Sequence, residues 1–237
     1  MEDRITLGGL AFACHAYQSF GGEFDGGYDD LVTKTKPRLN LHDTQHLRWM
    51  LEWLNNWGCR QFKKTDHGLA IRQISDWFSK YETKLPAEGS ELFLLKEPDL
   101  VNLSIVFDDL ANRIACTRTT KRPLQSEVRV GPVGTAKILF AMRPKTFLPW
   151  DNAIMGHFGL DGSGRSYGRF LHLVKGWLTA IGEECIRNGF SLNDLPSRVG
   201  RAHSSPAKLI DEYLWATVTY RLEIPSREIL REWANWS

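Results

Sequence analysis

The residues best suited to chemistry lie between Val128 and Ile154, in the run VRVGPVGTAKILFAMRPKTFLPWDNAI. Gly131-Pro132-Val133-Gly134 reads as a hairpin between two helices, the second running from Thr135 to Met142 with Ile138, Leu139 and Met142 on its buried side. Glycine admits positive φ and lets another part of the chain approach closely. The N–H groups at the start of a helix, reinforced by its dipole, form an anion site, and a phosphate is its natural guest. Lys137, Arg143 and Lys145 add positive charge nearby. Asp151 follows Gly134 by 151 − 134 = 17 positions. It stands before Asn152 to Phe158, a short helix with Ile154, Met155 and Phe158 apolar. Aspartate is a favoured N-cap, and the same placement would hold a carboxylate rigid at the edge of a cleft, walled by Leu148 and Trp150.

The elements that must position these groups read as helices. Asp43 is a good N-cap for a helix in which Leu47, Met50, Leu51 and Leu54 form one apolar face and Trp49, Trp53 and Trp57 a second, with Gly58 as its stop. Leu69, Ile71, Ile74, Trp77, Phe78 and Tyr81 trace another, closed at Leu85-Pro86. After a short apolar run at Leu92 to Leu95, Pro98 and Asp99 begin a helix carrying Leu103, Val106, Phe107, Leu110 and Ile114. Tyr167 to Cys185 repeats apolar residues at helical spacing and ends at Gly189. Ser205-Pro206 starts a helix reaching Tyr220, and Ser226 caps a terminal one with Ile229, Leu230 and Trp233. Residues 1–40, rich in glycine, read as an irregular extension with loop chemistry. The expected architecture is all-α and two-lobed. It comprises the 1–40 extension, a helical lobe at 41–120, the turn-and-aspartate region at 121–165 and C-terminal helices at 166–237.

Composition narrows the function classes. The chain has 237 residues, a formal net charge of +2 and a pI of about 8.3. That excludes strongly basic, tail-like nucleic-acid binders but permits a local basic face. Four scattered cysteines, Cys14, Cys59, Cys116 and Cys185, form no CxxC pair, which argues against a zinc or iron–sulfur site and for buried thiols. With no leader-like segment or long apolar run, a soluble, cytoplasmic protein is expected; it is also expected to be a monomer. Nine tryptophans imply large aromatic contacts in a core or a pocket. The histidines show no HExxH spacing, and Asp108-Asp109 reads as a solvated acidic face. Arg198, Arg201 and His203 read as a solvated loop, and Gly162-Ser163-Gly164-Arg165 as a flexible turn.

The opening segment resembles the helix-hairpin-helix DNA glycosylases. Val130-Gly131-Pro132-Val133-Gly134 matches the family's hairpin and Arg143 to Asp151 its Gly/Pro-rich loop with a catalytic aspartate, Ile154 following. The specific match spans about 27 residues, from Val128 to Ile154. The resemblance implies a two-lobed helical fold acting on double-stranded DNA. It assigns Asp151 as the catalytic residue and Gly131, Val133, Gly134, Thr135, Lys137 and Lys145 as contacts to the DNA backbone. A base pocket would be walled by Trp150, Trp49 and Trp53, with Trp57 a further candidate. No cofactor, nucleotide or catalytic metal is implied, apart from a structural monovalent cation at the hairpin.

Such an enzyme flips a damaged or modified base from DNA and hydrolyses its N-glycosidic bond, in repair or in defence against modified foreign DNA. The chain departs from the pattern in the family's common C-terminal four-cysteine cluster, which is absent, and twice at the hairpin. Pro132 takes the place of the first hairpin glycine, and Ala136 stands where bifunctional members carry a Schiff-base lysine. Lys137 is one step, about 100°, further around the helix. A monofunctional glycosylase that leaves an abasic site is therefore expected. The alternatives are a non-catalytic DNA-binding module, a glycosylase/lyase using Lys137, and a protein-interaction domain built on the tryptophan-rich helix.

Overall fold

The computed structural model describes residues 5–62, 67–119 and 125–234. It is mostly helical, with one two-stranded sheet among the described residues. In chain order the elements are α1 (Leu7–Lys34), α2 (Thr44–Asn56), α3 (Gly68–Tyr81), α4 (Glu97–Asn112), β1 (Ile114–Thr119), β2 (Gln125–Arg129) and α5 (Gly131–Met142). They continue with α6 (Asn152–His157), α7 (Gly164–Arg187), α8 (Leu195–Arg198), α9 (Pro206–Leu214) and α10 (Arg227–Ala234). A π-helical segment, Trp215–Thr219, extends α9. Apolar residues from α1 through α9 join one contiguous core.

The expected caps form. Asp43 accepts from the N–H groups of Gln45 and His46, and Ser205 from that of Lys208. Gly58 and Gly189, just beyond α2 and α7, take φ of 80° and 82°, the left-handed conformation that ends helices cheaply at glycine. The four cysteines are free and buried, and no described helix is long and apolar enough to cross a membrane.

Two expectations are corrected. The segment 1–40 is no irregular extension: most of it is α1, 28 residues long. Beneath the glycines runs a helical pattern, since Leu10, Ala13, Cys14 and Tyr17 are all buried, and tertiary burial overrides glycine's weak propensity. The glycines admit close neighbours, as where Gly21 lies against Trp215. The second correction concerns the turn at Gly131. The chain leaves α4 at Asn112 and runs through the antiparallel pair β1–β2, so Ile114 is in a strand and the turn follows β2 rather than a helix. β-branched residues, Ile114, Thr117 and Val128 among them, favour this pairing, and Val130 N–H extends the ladder to the Arg113 carbonyl at 2.8 Å. Gly131-Pro132-Val133-Gly134 is thus a strand-to-helix junction. Leu124 and the side chain of Trp233 lie outside the described residues.

Candidate active site around Asp151

The approach to Asp151 is fixed before the residue is reached. Phe147, Leu148 and Trp150 are buried. The Tyr167 hydroxyl donates to the Leu148 carbonyl at 2.8 Å, and Trp150 Nε1 to the Pro132 carbonyl at 3.1 Å. The second bond ties the aspartate segment to the start of α5. Phe107 and Tyr167 meet the Trp150 ring edge-on.

Asp151 caps α6, its Oδ1 accepting from the Ile154 N–H at 2.8 Å. Its Oδ2 accepts from the Thr219 hydroxyl, also at 2.8 Å. Thr219 ends the π segment, where Tyr220 N–H reaches the Trp215 carbonyl at 2.8 Å. The β-branched run Thr217-Val218-Thr219 weakens the α-helical register there, and Arg221 follows with φ of 62°, a strained value for a non-glycine residue. The distortion turns Thr219 onto the carboxylate and Trp215 towards the same space.

That space is a cavity of about 350 Å³. Its walls come from the end of α2 (Trp57, Gly58), from α5 (Val133, Lys137) and from the segment Pro149, Trp150, Asp151. Asn152 and Ile154 of α6, Tyr17 of α1, Asp211 of α9 and Trp215 complete it. Lys137 Nζ donates to the Trp57 carbonyl at 2.5 Å and lies 5.4 Å from the centre of the Trp57 ring. Asp211 is paired with the buried Lys208 at 2.8 Å. Behind them, Arg201 bridges Asp25 and Glu212, and Tyr17 donates to Asp25 at 3.0 Å. Burial pushes the carboxyls of Asp211 and Glu212 up from their ordinary values, with Lys208 pulling the other way. Burial alone would lower the Lys208 ammonium, but Asp211, Tyr17, Glu212 and Asp25 raise it well above the usual lysine value. The cavity thus has aromatic walls, a carboxylate held by two donors and a second carboxylate anchored by a buried cation.

The residues expected from sequence divide into three groups. Asp151, Val133, Lys137 and Trp150 line the cavity together, and Trp57 joins them. Gly131, with φ of 69°, stands partly exposed at the start of α5, where it and Val133 supply the terminal N–H groups, Pro132 having none. The others lie apart. Gly134 is covered by Gln61, whose Nε2 an added Cβ would meet at 2.4 Å, and Thr135 is 0% exposed, so neither is open to a backbone phosphate. Lys145 is exposed beyond the far end of α5, about 18 Å along the axis for 12 residues. Arg143 is buried, its Nε bonded to the Pro86 carbonyl at 3.1 Å. Trp53 is buried in the core beside Tyr28, and Trp49 stacks on His46.

The remaining features are structural. Asp108 caps α7 through the Gly164 N–H at 2.6 Å, and Asp109 pairs with Lys80 and Arg113. Arg201 belongs to the buried ion network rather than to a solvated loop. The carbonyls of Val130 and Pro132 each accept from a side chain, Gln61 and Trp150. They are poorly suited to a monovalent cation at the junction.

Sequence reasoning missed Tyr17, Asp211, Trp215 and Thr219. Asp211 and Trp215 carry a legible signal, the i, i+4 spacing of one helix face; Thr219 depends on the π register and carries none. A larger recess of about 1100 Å³ uses Thr217 and Val218 as part of its wall, but its lining contains no carboxylate among the described residues. The chemistry therefore points to the smaller cavity. Comparison with protein-family models, with curated proteins and with solved structures gave no match for this chain.

Proposed function

We propose that the protein is a DNA glycosylase of two-lobed helical build, which takes a flipped base into the cavity at Asp151 and hydrolyses its N-glycosidic bond. One observation carries the reading. A carboxylate fixed by the Ile154 N–H and the Thr219 hydroxyl opens into an aromatic-walled cavity of about 350 Å³, within the range of small-ligand sites.

Extruding a base costs a few kcal/mol in lost stacking and pairing, and the Trp57, Trp150 and Trp215 walls offer apolar contact in return. As the bond to the base breaks, positive charge grows on the sugar. Asp151 stabilises that charge and takes the proton of the attacking water, whose oxygen bonds to the sugar while the bonding electrons leave with the base. The N–H groups of Gly131 and Val133, at the start of α5, would hold a flanking phosphate. Asp211, kept in place by Lys208, offers an acceptor to N–H groups on the base edge.

A second reading is favoured by Lys137, which lines the same cavity as Asp151. Its amine could attack the sugar itself and add lyase activity; its bond to the Trp57 carbonyl favours a positioning role and simple hydrolysis. Borohydride trapping separates the two, since only the lyase forms a protein–DNA adduct. The glycosylase reading is tested by incubating the protein with single strands and duplexes containing damaged or hypermodified bases, and with mismatched duplexes, and scoring alkali-sensitive abasic sites. At least one of these DNAs should be cut after alkali; release of no base from any of them rejects the reading.

A further inference from the structure

The wall residue Trp215 is the inner end of an aromatic stack that runs to the surface. Its ring lies 5.4 Å from that of Tyr220 with 19° between the planes, and Tyr220 lies 5.3 Å from Phe20 with 15° between them. Tyr17 closes the inner end edge-on to Trp215, at 5.2 Å and 88°. Phe20 and Tyr220 are 59% and 51% exposed, so the outer end of the stack stands in water. The two come from elements 200 positions apart, α1 and the turn after the π segment. That turn is the one strained at Arg221.

A surface meant for an aliphatic partner has no need of parallel rings. A stack of near-parallel rings whose inner member, Trp215, lines the cavity and whose outer members stand in water offers a flat face on which one further planar ring can stack. Base-on-aromatic stacking of this kind is a general means of holding single-stranded nucleic acid. The exposed Arg221 next to Tyr220 supplies a cation for the strand's phosphates.

We infer that Phe20, Tyr220 and Trp215 form a stacking platform for the unpaired base next to the nucleotide held in the cavity, so that the preferred substrate is DNA that is single-stranded or locally opened. This rests on the reading of the cavity as a base pocket. It goes beyond it by assigning the platform residues and the strand state of the substrate.

The test is equilibrium binding of the full chain to labelled oligonucleotides by fluorescence anisotropy, using a single strand, a duplex with a one-nucleotide gap and a fully paired duplex. The wild type should bind the single strand and the gapped duplex more tightly than the paired one. Phe20→Ala should weaken binding to the first two by about tenfold and leave the paired duplex unchanged, while Phe20→Trp should restore the wild-type value. Since Phe20 is exposed, an unchanged circular dichroism melt will show that the variant is folded. Wild-type affinity of a folded Phe20→Ala and Tyr220→Ala for the single strand overturns the platform, and leaves the glycosylase reading intact if Asp151-dependent base excision persists. A wild type that binds none of the three DNAs overturns both.

Discussion

Thr219 Oγ1 donates a 2.8 Å hydrogen bond to Asp151 Oδ2 across 68 residues of sequence. The other carboxylate oxygen is held by the backbone of α6, so Thr219 decides how the free lone pairs of Asp151 face the cavity. Its hydroxyl owes its position to the π register of Trp215–Thr219, which an uninterrupted α-helix would turn elsewhere.

Removing that hydroxyl should loosen the carboxylate without removing it. Thr219→Val is expected to lower the single-turnover rate of base excision by about tenfold, equivalent to ~1.4 kcal/mol in the barrier, with DNA affinity unchanged. Thr219→Ser should keep most of the activity. A loss confined to affinity would place Thr219 in binding rather than in orienting Asp151.

Asp211 also lines the cavity and is anchored by Lys208. If it accepts from the edge of the base, Asp211→Asn, which keeps size but exchanges one acceptor for a donor, will change the order of preference among modified bases. Discrimination by such a pair amounts to about 1–3 kcal/mol. The panel used to identify the excised base reads this directly, and a uniform loss across all bases would assign Asp211 to stability alone.

The ion network also sets a pH limit. The Lys208 ammonium is raised in the folded protein, so its contribution to stability is fully present below the ordinary lysine value of about 10.5 and is lost as pH rises through the higher folded value. Urea unfolding of the wild type should therefore weaken steeply above that pH, with buried Tyr17 and Tyr28 adding to the slope because burial raises them as well. Lys208→Met, which leaves the buried Asp211 without its ion pair while Glu212 keeps Arg201, should cost about 3–5 kcal/mol at neutral pH. Adding Asp211→Asn should recover part of that loss.

Glycines in the same helix have opposite roles. An added Cβ at Gly164 would meet the Ser104 carbonyl oxygen at 2.1 Å, so α4 and α7 touch there, whereas Gly176 faces open space. Gly164→Ala should destabilise by about 1–3 kcal/mol or more, and Gly176→Ala should stabilise by about 0.5–1 kcal/mol. Thermal melts distinguish them, and an undisturbed Gly164→Ala would contradict the close crossing.

The helical class and the capped ends of α2, α7 and α9 are legible in the sequence because capping and apolar spacing are local. The lead-in to α5 is not: the apolar run around Val128 suits a strand or a helix, and pairing with Ile114 to Thr119 decides. α1 is hidden because its glycines signal turns while its helix depends on burial against α2 and α9. At the site, Asp151 and its cap are readable from Trp150 to Ile154, as is the tryptophan stripe of α2. Which tryptophan of that stripe meets the cavity depends on how α2 packs on α5, and the answer is Trp57 at its end rather than Trp49 or Trp53. Asp211 and Trp215 share a helix face at i, i+4 spacing, but which cavity that face meets, and the place of Tyr17 in it, depend on long-range packing.

The central claim is that Asp151 breaks the bond to the base. It is tested most directly by single-turnover excision with Asp151→Asn on the duplex that the wild type cuts best. Asparagine keeps the side chain's size and an oxygen for the Ile154 cap, so the variant should fold and bind DNA as the wild type does, while excision falls by at least about 100-fold. Full excision by a folded Asp151→Asn would contradict the account and leave Asp151 as the N-cap of α6 alone.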